Sequence, residues 1–292
     1  MKFKFVNLCA VALVVAAANA PAMAEVKEKW SLGGFSHPES VDLDIAHQVF
    51  YVSNINGGPL DKDGNGFISK VSRDGKLITL KWIDGLNAPK GIVMQGFNMW
   101  VTDIDRLVQI DTRLGKITNT YPAEGAVFLN DPAVDSAGNV YVTDIAKRKI
   151  WQLKDGKMSI WYGKDDLQHV NGLRVIHGGK LLVAGFGRDM QDDGSTKTLG
   201  NLFTIDLKTK ELKNLGDGRP VGNIDGLERD AHGNFLATDF NAGSLLRIHR
   251  DGSFETLLDL KPGTADLDVI DHGHTAVVPR MLEDTVTAYS VD

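Results

Sequence analysis

One template recurs along this chain and limits what it can fold into. The stretch from Asn130 to Asp144 reads as two short apolar runs joined by the polar turn Asp135-Ser136-Ala137-Gly138, with a carboxamide at its entrance and a carboxylate at its exit. That is the pattern of a β-hairpin. Asp225 to Asp239 superimposes on it without a gap, Asn171 to Gly185 follows it closely, and looser copies begin at Glu39, Lys90 and Asp266. Successive entrance residues lie 51, 40, 41, 54 and 41 positions apart. This spacing falls in the range where each repeat builds one sheet around a common axis.

Each hairpin is followed by two more strand-like runs. In the third repeat these are Lys149 to Leu153 and Lys157 to Trp161 around Lys154-Asp155-Gly156; in the fifth, Leu245 to Ile248 and Phe254 to Leu258 around Arg250-Asp251-Gly252. Asp-Gly is a favoured hairpin turn. Four strands per repeat predict an all-β, six-bladed β-propeller. The sixth repeat has room for only three strands, and Glu28 to Leu32 resembles the fourth strand of the first repeat, Leu80 to Asp84. The ring is therefore expected to close by pairing the N-terminal strand into the last blade, which removes an exposed edge.

Residues 1–24 are expected to stand apart from this domain as a signal peptide. Lys2 and Lys4 precede the apolar run Val6 to Ala18, and Ala22-Met23-Ala24 offers a cleavage site before Glu25. The expectation is an exported protein, periplasmic or secreted, whose propeller domain spans residues 25–292 and keeps no membrane anchor after cleavage. The single cysteine, Cys9, lies in the leader, so the mature domain has no disulfide and no thiolate ligand. A net charge of −6 and the lack of a basic run argue against nucleic acid as a partner.

Up-and-down strand order sorts the chemistry by face. Hairpin turns between first and second strands lie at one end, which places His177, His232, His272 and His274 in solvated turns. The six entrances lie toward the other end with the loops between second and third strands. The two long repeats carry their extra residues in such loops, Asn56 to Gly66 and Arg188 to Thr198, on opposite sides of the ring. At the entrances, Glu39, Asn130, Asn171 and Asp225 offer two carboxylates and two carboxamides. Hard oxygen donors without sulfur or imidazole suit Ca²⁺ best, then Mg²⁺ or Mn²⁺, with Zn²⁺ less natural. Asn-Gly and Asp-Gly are also ordinary turn dipeptides, but turn chemistry does not account for Glu39.

Pro38-Glu39-Ser40, Asn130-Asp131-Pro132-Ala133-Val134-Asp135, Asn171-Gly172-Leu173 and Asp225-Gly226-Leu227 together resemble the motifs of the gluconolactonase, senescence-marker-protein and luciferin-regenerating-enzyme family, with the paraoxonases more distant. The resemblance implies that Glu39, Asn171 and Asp225 ligate a divalent cation in the central tunnel, with Asn130 at the metal or its water and substrate. It further implies hydrolysis of a lactone or related small-molecule ester, with Asp225 and Asn130 as catalytic residues.

Two positions depart from that pattern. Phe128 stands where sugar-lactone members commonly have arginine, which points to a more hydrophobic lactone or to a non-catalytic propeller that binds a small molecule or a protein on the same face. Lys90 would hold an anionic substrate, neutralise Glu39, or turn outward; outward is the first expectation, because a lysine stem readily carries its charge to solvent. His37 and His169 lie beside the cleft as substrate-contacting or proton-shuttling candidates, although each reads more simply as a loop residue. Asp103, Asp144 and Asp239 each follow a threonine at a strand end, and loop capping is the preferred reading for the first two. Asp61 to Gly66 begins like a Ca²⁺ loop but has Ser72 where the closing glutamate belongs, so a hairpin loop is the preferred reading.

Overall fold

A computed structural model describes residues 26–164 and 167–292. The signal-peptide expectation for residues 1–24 lies outside the described residues.

Six antiparallel sheets form the ring predicted from the repeat. The inner strands of blades one to five are Pro38–Asp44, Pro89–Gln95, Leu129–Val134, His169–Ile176 and Ile224–Arg229; blade six has the short Asp268–Ile270, just after Asp266. The last blade takes its outermost strand, Lys27–Gly33, from the other end of the chain, which pairs with Thr285–Ser290 in a register that sets Lys27 opposite Ser290. Among the described residues no helix is long and apolar enough to cross a membrane.

The core explains why the second strands read as near-continuous apolar runs such as Phe50-Tyr51-Val52 and Leu181-Leu182-Val183-Ala184. Each blade is packed on both faces, and one hydrophobic cluster fills each of the six gaps between neighbours. Between blades one and two, Tyr51, Ile68 and Leu86 meet Met99, Val101 and Val108. Along these second strands the side chains on both faces therefore find a neighbouring sheet.

Both long insertions lie between second and third strands, as expected. In blade four the second strand runs on to Met190 and folds back as Thr196–Leu199. In blade one the insertion is a loop held by its own side chains: Asp61 accepts from the Gly58 amide at 2.9 Å, and Asn65 donates to Asp63 at 2.6 Å. Its carboxylates serve the loop, in keeping with the hairpin-loop reading. His177, His232, His272 and His274 are exposed in hairpin turns.

Candidate metal centre

The entrance residues owe their position to a bulge repeated in blades one to five. Pairing between first and second strands slips at Pro38/Val41, Pro89/Ile92, Leu129/Pro132, Val170/Leu173 and Ile224/Leu227. Two consecutive residues per blade therefore leave the ladder, the entrance residue and the one after it. The amide thus released needs another partner. Hydroxyls on the second strands supply it: Ser53 accepts from Ser40 N at 2.9 Å, Thr143 from Asp131 N at 2.9 Å, and Thr238 from Gly226 N at 2.8 Å. Thr102 instead donates to the Asn130 carbonyl of the next blade at 2.5 Å.

The aspartate after each threonine fastens the loop leading into the inner strand. Asp103 accepts from the Asn87 and Ala88 amides, and Asp144 from those of Val127 and Phe128. Capping is thus the role of both. Asp239 instead takes the Ala242 amide at 3.0 Å, in the loop that follows its own strand. The second bulge position is glycine in blades two, four and five because inner strands almost touch there. A Cβ at Gly172 would stand 2.4 Å from the Asp225 carbonyl oxygen, and one at Gly91 would stand 2.7 Å from that of Asn130.

This scaffold brings the four expected donors together below the surface. Asn130 donates to Asn171 through its side-chain amide, and Asn171 donates to Asp225 Oδ1 at 2.6 Å. Glu39 completes the group, with one oxygen from each of Glu39, Asp131 and Asp225 mutually within 4.8 Å. Asp131 is the residue the sequence reading missed. It occupies the bulge position held by glycine in three other blades, and that exception was the available signal.

Glu39 and Asp131 are each 3% exposed, and Glu39 Oε2 and Asp131 Oδ1 are buried without a hydrogen-bond partner. Buried anionic oxygens are costly unless a partner offsets them. Burial first, and then the neighbouring carboxylates, push Glu39, Asp131 and Asp225 well above the usual carboxylate range. Asp266, bonded to Ser40 Oγ at 2.7 Å, is raised to about 7, chiefly by burial. Three carboxylates with two carboxamides and two orphaned oxygens fit a hard divalent cation.

The expectation that Lys90 turns outward is corrected. Lys90 is 1% exposed and donates from Nζ to Pro59 O at 2.8 Å and Ala88 O at 2.9 Å, with the Phe128 ring 4.7 Å away. Blade one's insertion folds over it and provides the Pro59 acceptor, so its charge is satisfied without reaching water. Phe128 is half-buried and forms the apolar wall beside it. His37 is exposed in a left-handed conformation with φ 50°, and His169 Nδ1 lies 2.8 Å from the Ile145 carbonyl. Among the described residues, no hydrogen bond joins either imidazole to the cluster.

Toward the hairpin-turn face the tunnel widens into a cavity of about 580 Å³, with Asp131 and Asp266 among its walls and Ile45 and His272 near its mouth. Asp42, Asp268, Arg174 and Glu228 also line it. Asp42 accepts from Met94 N and Asp268 from Leu43 N, each at 2.9 Å, and Arg174 is ion-paired with Glu228.

Comparison with solved structures agrees on the architecture. A protein provisionally assigned as a gluconolactonase matches over 93% of each chain with a TM-score of 0.64 at 19% identity. Virginiamycin B lyase from Staphylococcus aureus matches over 92% of this chain and all of its own, with a TM-score of 0.62 at 13% identity. A streptogramin B lyase aligns over 91% of this chain and 97% of its own, with a TM-score of 0.60 at 14% identity. The chain shares their propeller fold. No protein-family profile and no curated protein sequence matches it.

Proposed function

We propose that this is an exported hydrolase of lactone-like esters that uses a divalent cation, Ca²⁺ first among the candidates, at the loop-face mouth of its tunnel. The observation that carries this reading is the pair of partnerless buried oxygens, Glu39 Oε2 and Asp131 Oδ1, within a triad completed by Asp225. The fold shared with a gluconolactonase-like protein and two lyases is in keeping with a small-molecule substrate.

Glu39, Asn171, Asp225, Asn130 and Asp131 would hold the cation. When bound, such an ion supplies Lewis acidity that polarises an ester carbonyl. The chain's own groups do the rest. Asp225, fixed by the Asn171 amide, is placed to accept the proton of an attacking water. Asn130 orients water and substrate from the neighbouring blade. Phe128 offers an apolar wall in place of a hydroxyl-gripping group, which favours a hydrophobic lactone over a sugar acid.

A panel of aliphatic and sugar lactones, assayed with Ca²⁺, Mn²⁺ and Zn²⁺, tests this. Turnover should favour the aliphatic members, and Asp225→Ala should lower it by at least about 100-fold, the usual scale for a lost general base. Unchanged turnover in that variant would remove Asp225 from the mechanism. Cation binding without turnover of any lactone would leave the non-catalytic binding propeller as the reading.

A further inference from the structure

We propose that Lys90 is a built-in counter-charge that sets which cation valence the centre favours, an inference that rests on the cation site proposed above. Glu39, Asp131 and Asp225 place three carboxylates within 4.8 Å, and the carboxamides of Asn130 and Asn171 add no charge. A divalent ion alone would leave such a centre with excess negative charge, whereas a trivalent ion would balance it. One ammonium in the same buried enclosure offsets one unit of that negative charge around a divalent ion.

Lys90 meets that need without using up the ligand oxygens. It opens the bulge of blade two, between the blades that carry Glu39 and Asn130, and it is almost wholly buried. Its protons go to two uncharged acceptors, the carbonyls of Pro59 and Ala88, while the Phe128 ring covers it at 4.7 Å. Among the described residues it makes no ion pair with any of the three carboxylates. The orphaned oxygens Glu39 Oε2 and Asp131 Oδ1 agree with this, since an ammonium free to move inward would take them as acceptors. Burial lowers the Lys90 pKa to about 8, which leaves the amine protonated at pH 7. An ammonium close enough to Glu39 to lower that carboxyl's proton affinity also acts on an ion held by it.

The physics makes a graded prediction. A fixed charge acts on a bound ion in proportion to that ion's own charge, so removing Lys90's charge should raise affinity for both ions, with logarithmic gains for trivalent and divalent ions in a ratio of about 3 to 2. Equilibrium binding of Ca²⁺ and of Tb³⁺, an oxygen-seeking ion of similar size, would be measured at pH 7 on the wild type, Lys90→Gln and Lys90→Arg. Lys90→Gln keeps an N–H donor, on a shorter stem, and removes the charge. It should bind Ca²⁺ at least about tenfold more tightly and Tb³⁺ at least about thirtyfold more tightly, while Lys90→Arg stays near wild type. Equal or weaker binding of both ions by Lys90→Gln, with thermal stability retained, would reduce Lys90 to a tether for the blade-one loop and overturn the inference. If that variant does not fold, Lys90→Met takes its place under the same criterion, and loss of folding in both would assign Lys90 to structure alone. Absence of binding by the wild type would instead remove the cation site itself, so the two failures are distinct.

Discussion

The two ends of the tunnel are built from the same inner strands, both bury carboxylates, and they balance them differently. At the hairpin-turn end Asp42, Asp268, Glu228 and Asp271 each have a partner from the chain. Asp42 and Asp268 take backbone amides, Glu228 pairs with Arg174, and Asp271 pairs with Arg73 at 2.5 Å and Lys29 at 3.2 Å. At the loop end Glu39 and Asp131 each retain a buried oxygen with no partner, and the nearby ammonium of Lys90 is occupied by carbonyls. The hairpin-turn end is complete by itself, whereas the loop end is complete only with something added. Acidity therefore does not mark a metal site; unmet acidity does.

This contrast is sharpened most by adding the missing partner. With Ca²⁺ at one hundred times its dissociation constant, the protein should gain about 2.7 kcal/mol of stability, read as a rise in thermal midpoint. No rise with any divalent ion would erase the difference between the two ends.

Proton competition gives the next test. Asp266 is raised from an ordinary value near 4 to about 7, and Glu39, Asp131 and Asp225 move in the same direction. Carboxyls that hold protons more tightly when folded contribute stability that is full below about pH 4 and is lost as pH rises toward about 7. Cation-free protein should therefore lose thermal stability between those values, and the gain from Ca²⁺ should be larger at pH 7 than at pH 5. A flat profile from denaturant titrations across that window would contradict the raised proton affinities.

Single substitutions separate the ends directly. Asp131→Asn should weaken Ca²⁺ binding at least about tenfold, or about 1.4 kcal/mol, while Asp268→Asn should leave it within about threefold. Calorimetric titration would show whether those effects are reversed. The smallest change is expected from Arg174→Met. Its ion pair with Glu228 is more than a third exposed on the arginine side, so solvent screening should limit the loss to about 1 kcal/mol or less in urea unfolding.

The architecture was legible because each level of the sequence agreed with it. Apolar runs, Asp-Gly turns and a period near forty residues all specified four-stranded blades, and Glu28 to Leu32 carried the pattern of a missing outer strand. Four centre residues were legible because they open equivalent strands. Asp131 was not, since its visibility depends on the bulge: with regular pairing a residue after the entrance would face the other way, and only a slipped register frees both. Lys90 was misjudged for a non-local reason. A lysine stem reaches water unless another segment covers it, and the covering carbonyl comes from Pro59, thirty-one positions earlier.

The joint between Lys27–Gly33 and Thr285–Ser290 sets the order of assembly. Lys27–Gly33 precedes the five other blades in the chain yet is seated after them, because its neighbour Thr285–Ser290 follows them all. Until then the last blade lacks its outer strand, and the circle cannot lock. For a molecule of this kind, keeping the nascent chain apart from its copies matters as much as the strength of any individual sheet.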